Sequence, residues 1–154
     1  MAFNARDLAV NGVRALQPYQ PGKPVEELER ELGLSDIVKL ASNENPRTSN
    51  EVIAKALAQQ QSDISRYPDG SGYALKIRLS DLLGVSTDQL TLGNGSNDVL
   101  ELLVRTFVSP GQGVVVSEHS FAVYSLAAAA VGADLKTAPA SSWGHDLDAI
   151  LSLV

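Results

Sequence analysis

The segment TLGNGSNDVLELL, residues 91–103, has the residue types that bind an anion at the start of a helix. Gly93 and Gly95 allow a ligand to approach the backbone closely, and the first N–H groups of the helix that follows have no internal acceptor. A phosphate binds favourably at such a helix start, and Ser96 adds a hydroxyl that donates to the anion or caps the helix. The spacing alone leaves two interpretations open: an anion site, or only a tight turn with a cap.

Two common phosphate-binding motifs do not fit this segment. A dinucleotide-binding fingerprint requires a third glycine where the chain has Asp98, and a P-loop requires Gly-Lys followed by Ser or Thr, which occurs nowhere in the sequence. Asp98 is favourable near the positive end of a helix dipole but repels a phosphate. We therefore expect its carboxylate to point away from a bound anion.

Three further residues lie where ligands often bind. Tyr67 belongs to the loop RYPDGSG and Asn43 to the loop SNENP, and each either contacts a ligand or serves only for packing or turn formation. Phe121 follows a predicted strand at 113–117, at the carboxyl edge of a parallel sheet, where ligands of open α/β folds bind. Its ring is expected to stack on a flat ligand or to pack in the core.

The sequence contains no motif for a metal ion or for an activated nucleophile. His119 and His145 lack the ligand spacing of a metal site, so we predict no metal. The Gly-x-Ser-x-Gly nucleophile elbow is absent, and Glu118 and His119 are adjacent, which rarely allows two side chains to converge on one atom.

Composition excludes several classes of function. With 44% hydrophobic and 19% charged residues among 154, the chain is predicted to fold around one core rather than to be disordered. A net charge of -6 with scattered Lys and Arg argues against a general nucleic-acid-binding surface. The sequence has no cysteine and no apolar segment as long as a signal peptide or a membrane span. We therefore expect a cytoplasmic protein that binds neither nucleic acid nor membrane.

Hydrophobic periodicity predicts an α/β protein with a mostly parallel sheet. Prolines at 18, 21 and 24 predict an extended N-terminal arm. The next segments predict a helix at 24–32, a strand at 37–41, and helices at 52–57 and 75–83. The last part predicts strands at 90–93, 113–117 and 133–138 that alternate with helices at 97–108 and 121–131. Such alternation is typical of βαβ units whose sheet is packed on both faces.

The final residues predict one more helix. Asp146 is a candidate N-cap, and Leu147, Ile150, Leu151 and Val154 form an apolar helical face. We expect the chain to end inside this helix. About four strands are predicted where a sheet typically has 5–6, so we interpret the chain as a fragment of a longer protein.

Five segments, taken in order, closely resemble the N-terminal part of histidinol-phosphate aminotransferases. They are GVRALQPYQPGKPVEELERELGL, LASNENP, RYPDGSGYALKIRLSDLLGV, LTLGNGSNDVLELLVRTFVSPGQGVV and SEHSFAVYSLAAAAVGA. The resemblance implies the type I fold of aspartate aminotransferase, present here as an incomplete large domain. Residues 1–45 correspond to the N-terminal arm with a short helix and strand, and residues 46–154 to the first part of the domain that binds pyridoxal 5'-phosphate.

The resemblance also implies how the cofactor is held. Gly95, Ser96 and Asn97 match the positions whose backbone amides hold the phosphate of pyridoxal 5'-phosphate in that family. Phe121 matches the aromatic residue, often Tyr in the family, that stacks on the cofactor ring. Tyr67 matches a tyrosine that reaches the cofactor phosphate of the other subunit, which implies a homodimer. Two more residues, Tyr19 and Asn43, match arm and loop positions near the small-molecule substrate.

The lysine that forms the Schiff base in that family lies beyond position 154, and none of the lysines of this chain matches it. The resemblance therefore implies no catalytic residue within the chain, which we expect to be inactive alone. The resemblance implies that the parent protein interconverts histidinol phosphate plus 2-oxoglutarate and imidazole-acetol phosphate plus glutamate, in L-histidine biosynthesis. Alternatives are an aromatic-amino-acid aminotransferase or a threonine-phosphate decarboxylase of the same fold. An alternative of another class is a stand-alone anion- or nucleotide-binding module.

Overall fold

The computed structural model describes residues 4–45, 47 and 51–154. These residues form two compact units. The helical unit comprises Gln20–Leu90, and the sheet unit comprises the described residues up to Tyr19 together with Thr91–Val154. The division at residue 45 that the sequence suggested stays a prediction, and Pro46 of the NENP loop lies outside the described residues.

Seven helices and four strands are described. The helices are α1 (Asn11–Arg14), α2 (Val25–Leu32), α3 (Glu51–Gln59), α4 (Tyr73–Leu83), α5 (Ser96–Phe107), α6 (Ala122–Ala130) and α7 (Leu147–Ser152). The strands are β1 (Gly113–Ser117), β2 (Asp134–Ala138), β3 (Ala140–Ser141) and β4 (Gly144–His145). Short 3-10 helices cover Ala5–Leu8, Gln61–Asp63 and Thr87–Gln89. Within the described ranges, no helix combines the length and the apolar character needed to cross a bilayer.

The sheet unit is built on β1, α6 and β2. The two strands pair in parallel, from Gly113 opposite Asp134 to Ser117 opposite Ala138, and α6 connects them and packs on both. The valine run of β1 suits a strand, and the small residues of α6 allow the helix to approach the sheet closely. The buried apolar residues are Val116, Val123, Ala127, Ala128 and Ala138. The predicted βαβ unit is therefore confirmed.

Four of the other helices agree with the sequence pattern, whereas α1 lies in the N-terminal arm that was expected to be extended, and two of the predicted strands are wrong. Elements α2, α3, α4 and α5 confirm the helices expected from hydrophobic periodicity. Residues 37–41 and 90–93 form no strand, and within the described part of the chain neither segment pairs with another strand. An extended segment becomes a strand only where a neighbour accepts and donates its backbone hydrogen bonds, and Leu40 is instead 89% exposed.

The last helix begins as predicted but ends earlier. One carboxylate oxygen of Asp146 accepts a hydrogen bond from the Ala149 N–H at 2.9 Å, which confirms the N-cap. The prediction that the chain ends inside this helix is wrong: the Leu153 N–H donates to the Ile150 carbonyl oxygen at 3.1 Å, in a tighter turn that follows α7.

An N-terminal segment, residues 11–19, is held against α6 and is called the arm segment below. Gly12 lies so close to the carboxyl end of α6 that a Cβ atom there would overlap the Ala129 carbonyl oxygen and lie 3.0 Å from the Ala130 carbonyl oxygen. The Arg14 guanidinium donates to the carbonyl oxygens of Asp7 and Ala9, each at 2.7 Å. The contact at Gly12 holds the arm segment against α6, and the Arg14 bonds tie it to the residues that precede it.

The close approach at Gly12 leads to a prediction about stability. Gly12→Ala places a methyl group against backbone atoms, which cannot rotate away, so it should lower the free energy of unfolding by about 1–3 kcal/mol. The matched control is Gly113→Ala, because a Cβ atom there meets nothing within 4 Å in the same unit. Urea unfolding followed by circular dichroism measures both variants, and equal midpoints for the two would contradict the packing of the arm segment.

Candidate functional site

The glycine turn before α5 uses its two glycines for different reasons. A Cβ atom at Gly93 would lie 2.8 Å from Cγ2 of Val99, so this position requires glycine for close packing. Gly95 has φ 83° and ψ 175°, a backbone conformation that is essentially restricted to glycine. The space around Gly95 is open, because a Cβ atom there would meet nothing within 4 Å. Gly95 therefore lets the chain turn into α5 without strain and leaves open space beside the turn.

Hydrogen bonds within the turn hold its shape. The Gly95 N–H donates to the Gly93 carbonyl oxygen at 2.9 Å. Oδ2 of Asp98 accepts from the Asn94 backbone N–H at 3.0 Å and from the Asn94 side-chain amide at 3.4 Å. The carboxylate of Asp98 therefore folds back onto the turn, a role that the sequence analysis missed, although an acid four residues after Asn is a recognisable signal for it.

The amino end of α5 offers free donors. Gly95 is the N-cap and makes no side-chain cap bond, so the prediction that Ser96 caps this helix is wrong: Ser96 is already the first helical residue. The first backbone N–H groups of a helix, here those of Ser96 and Asn97, have no acceptor within the helix. Together with the positive end of the helix dipole, they form a place where an anion is stabilised.

Two aromatic rings of the sheet unit meet beside α6. Phe121 is the N-cap residue of α6, in the short connection that follows the end of β1 at Ser117, and is 41% exposed. Tyr19, at the end of the arm segment, is 47% exposed and contacts Phe121 edge to face, with ring centroids 5.8 Å apart and an interplanar angle of 81°. Two residues that the sequence assigned separately to substrate and cofactor are thus neighbours.

The two rings of this pair line different cavities. Tyr19 and Asn97 line one cavity of about 510 Å³ between the arm segment, α5 and α6. Phe121 lines another of about 550 Å³, beside β1 and α7, together with His119 and His145. The structure therefore brings Asn97 and Tyr19 onto one cavity, whereas Phe121 faces the next.

His119 and the neighbouring Glu118 make contacts that hold the fold together. The rings of His119 and Trp143 stack with centroids 4.9 Å apart and planes 30° apart. Oε2 of Glu118 accepts from the Ala140 N–H at 3.0 Å, so the carboxylate holds the start of the β3–β4 hairpin. Among the residues that the structure describes, no three His, Cys, Asp or Glu side chains form a metal-binding group.

The remaining predicted site residues belong to the helical unit. Tyr67 is fully exposed, and Asn43 lies in a turn, with φ 49°. Their relation to the glycine turn stays a prediction.

Asp69 orders the loop that carries Tyr67. Its Oδ1 accepts from the Ser71 N–H at 2.9 Å and the Ser71 hydroxyl at 2.8 Å, and its Oδ2 accepts from the Tyr73 N–H at 2.7 Å. Asp69 thus caps α4 from outside, because the N-cap residue Gly72 has no side chain. These bonds, that of the Ser71 hydroxyl first, lower the pKa of Asp69 below its ordinary value.

Comparisons with known proteins identify the family to which this chain is similar. The family model described as aminotransferase class I and II matches residues 35–154. Histidinol-phosphate aminotransferase 1 of Idiomarina loihiensis is 54% identical over 152 residues, which cover 99% of this chain and 41% of that protein. Histidinol-phosphate aminotransferase 2 of Nitrosospira multiformis is 52% identical, over 99% of this chain and 39% of that protein. This chain therefore spans about 40% of the length of these curated relatives.

A solved structure extends the likeness to three dimensions. The histidinol-phosphate aminotransferase of Sinorhizobium meliloti, crystallised in complex with pyridoxal-5'-phosphate, superposes with a TM-score of 0.79 at 27% identity. The likeness covers 92% of this chain and 38% of that one.

The bonds of Asp69 predict a pH dependence of the Tyr67 loop. Because the folded-state pKa is lowered, the capping contribution is present above the unfolded pKa of about 3.9 and is lost as the pH falls through the folded value. The backbone amides of Ser71 and Tyr73 should therefore titrate below pH 3.9 in NMR spectra. Asp69→Ala should abolish this titration, and amides that titrate unchanged in the variant would refute the capping role.

Proposed function

The chain belongs to the class I and II aminotransferase family, and from this premise we propose that its protein is a histidinol-phosphate aminotransferase. The reaction would transfer the amino group of histidinol phosphate to 2-oxoglutarate, which gives imidazole-acetol phosphate and glutamate, or run in reverse, in L-histidine biosynthesis. The observation that carries this proposal is identity of about half the residues over nearly the whole chain to relatives of that name. The activity is proposed for the protein to which this part belongs.

The residues at the amino end of α5 fit the phosphate of pyridoxal 5'-phosphate. The backbone N–H groups of Ser96 and Asn97 donate to the phosphate oxygens, and the Ser96 hydroxyl adds a third donor. Gly95 contributes its conformation and the open space beside it rather than its amide, which is already bonded to Gly93. Phe121 supports the flat face of the cofactor ring by stacking. When bound, the cofactor supplies an electron sink for the carbanion formed next to the amino group.

Three of the five lysines of the chain, Lys23, Lys39 and Lys136, have partners within it. The Lys23 ammonium is hydrogen-bonded to Glu31 and lies 3.7 Å from Glu27, and the bond to Glu31 above all raises its pKa, which keeps it protonated and poorly nucleophilic. Lys39 pairs with Glu44 at 2.6 Å, and Lys136 donates to the Leu153 carbonyl oxygen at 3.0 Å. These contacts support the proposal that the chain holds the cofactor without a covalent bond and is inactive alone.

The proposal includes a cytoplasmic homodimer. The exposed Tyr67 side chain would reach the cofactor phosphate of the second subunit, and Asn43 together with Tyr19 would contact the substrate. Full exposure of Tyr67 in the single chain supports this, because an aromatic side chain gains most when a partner covers its ring.

The Gly95 conformation predicts the effect of substitution on cofactor binding. Gly95→Ala must adopt a strained conformation or move the amides, so it should weaken binding of pyridoxal 5'-phosphate to the chain about five-fold or more in equilibrium dialysis. Gly111→Ala is the matched control: Gly111 has φ 82° and equally open surroundings but lies in the loop after the carboxyl end of α5, away from the first amides of that helix. An equal loss of affinity in both variants would argue against the phosphate site.

Assays of the chain and its protein separate the alternatives. Borohydride treatment of the chain with equimolar pyridoxal 5'-phosphate should label no single lysine stoichiometrically, because none of the five lysines matches the position of the Schiff-base lysine. The protein itself should form glutamate from histidinol phosphate and 2-oxoglutarate. Transamination confined to aromatic amino acids, or carbon dioxide release from threonine phosphate, would support the same-fold alternatives instead. Affinity for ATP equal to that for the cofactor would favour a stand-alone anion-binding module.

A further inference from the structure

The arm segment runs antiparallel to α6 and touches both of its ends. Gly12 lies against the carboxyl end, at the carbonyl oxygens of Ala129 and Ala130. Tyr19 contacts Phe121 at the amino end. The apolar residues in between, Val13 and Leu16, line one wall of the cavity whose opposite wall includes α6. The arm segment is therefore anchored at one end of α6 and delivers an aromatic ring to the other.

Phe121 depends on packing for its orientation. A phenyl ring has no polar atom with which to fix its plane, and as the N-cap residue Phe121 precedes the helix, so the preceding helical turn that restricts side chains inside a helix is absent. The edge-to-face contact with Tyr19 lies within the range of centroid distances that aromatic pairs favour, 5.8 Å here. Tyr19 is thus the neighbour that can set the plane of the Phe121 ring.

We infer that Tyr19 is a positioning residue, which holds the Phe121 ring in the orientation that stacks on the cofactor and so couples the arm segment to the cofactor site. The role of the cofactor rests on the proposed function, whereas the ring contact itself does not. In this role Tyr19 acts through the packing of its ring against Phe121, so its hydroxyl is not required. Displacing the arm segment at Gly12 should disturb Phe121 in the same way as removing the Tyr19 ring.

The first experiment examines the ring contact in the chain without ligand. The sequence has three phenylalanines, so ring-labelled phenylalanine gives a simple NMR spectrum in which Phe107, on α5, serves as an internal reference. We expect nuclear Overhauser contacts between the rings of Tyr19 and Phe121. Tyr19→Ala and Gly12→Ala should shift the Phe121 ring signals and leave those of Phe107 unchanged, whereas Tyr19→Phe should keep them. If Tyr19→Ala leaves the Phe121 ring signals unchanged, the inference is overturned.

The second experiment measures binding of pyridoxal 5'-phosphate. Tyr19→Ala should weaken binding about two-fold to ten-fold, the range that an aromatic pair contributes, and Tyr19→Phe should restore it. Tyr73→Ala, an aromatic truncation at the start of α4, is the control and should leave the affinity unchanged. In a Phe121→Ala background, Tyr19→Ala should have less than a two-fold effect, because its influence passes through that ring.

The outcomes distinguish the inference from the proposed function. If the unaltered chain binds pyridoxal 5'-phosphate and Tyr19→Ala binds it equally well, the positioning role is overturned and the proposed function stands. A loss of equal size with and without Phe121 also overturns it, because Tyr19 would then act directly on the ligand. A chain that binds no pyridoxal 5'-phosphate overturns the cofactor site and the positioning role together, whatever the ring spectra show.

Discussion

The backbone conformation of Gly95 is the constraint on which the candidate site depends. With φ 83° and ψ 175°, it turns the chain sharply into α5 and leaves the first amides of the helix without acceptors. The bonds from Asn94 to Asp98 and from Gly95 to Gly93 keep this conformation in place. A side chain at Gly95 would strain the turn, and a side chain at Gly93 would push it away from Val99. The anion site that we propose therefore depends on two positions that only glycine satisfies.

The rest of the sheet unit provides a rigid surface beside this turn. The parallel pair of β1 and β2 with the small-residue helix α6 forms the buried core, and Phe121 emerges where β1 ends and α6 begins. The arm segment lies along α6 and closes on Phe121 through Tyr19. Residues distant in sequence thus reach the site because the arm segment packs on the helix of the βαβ unit.

Local signals in the sequence were sufficient for the helices α2 to α6, the start of α7, the βαβ unit and the fold class, but not for α1. Hydrophobic periodicity identified α5 and α6, the Asp146 cap identified α7, and the likeness to a solved aminotransferase confirms the type I fold as part of a larger domain. The strands expected at 37–41 and 90–93 are not formed, since a strand depends on a partner that the segment itself does not encode. The contact between Tyr19 and Phe121 was equally inaccessible, because only tertiary packing brings the arm segment to α6. Ser96 was misassigned as a cap because Gly95 already ends the turn.

The central claim is that the backbone amides at the start of α5 hold the cofactor phosphate. Titration of the isotope-labelled chain with pyridoxal 5'-phosphate, followed by amide proton and nitrogen chemical shifts, observes these groups directly. We expect saturable shifts that are largest at the amides of Ser96 and Asn97 and that inorganic phosphate reproduces in part. Saturable binding that leaves these two amides unshifted, with the changes located elsewhere in the chain, would contradict it.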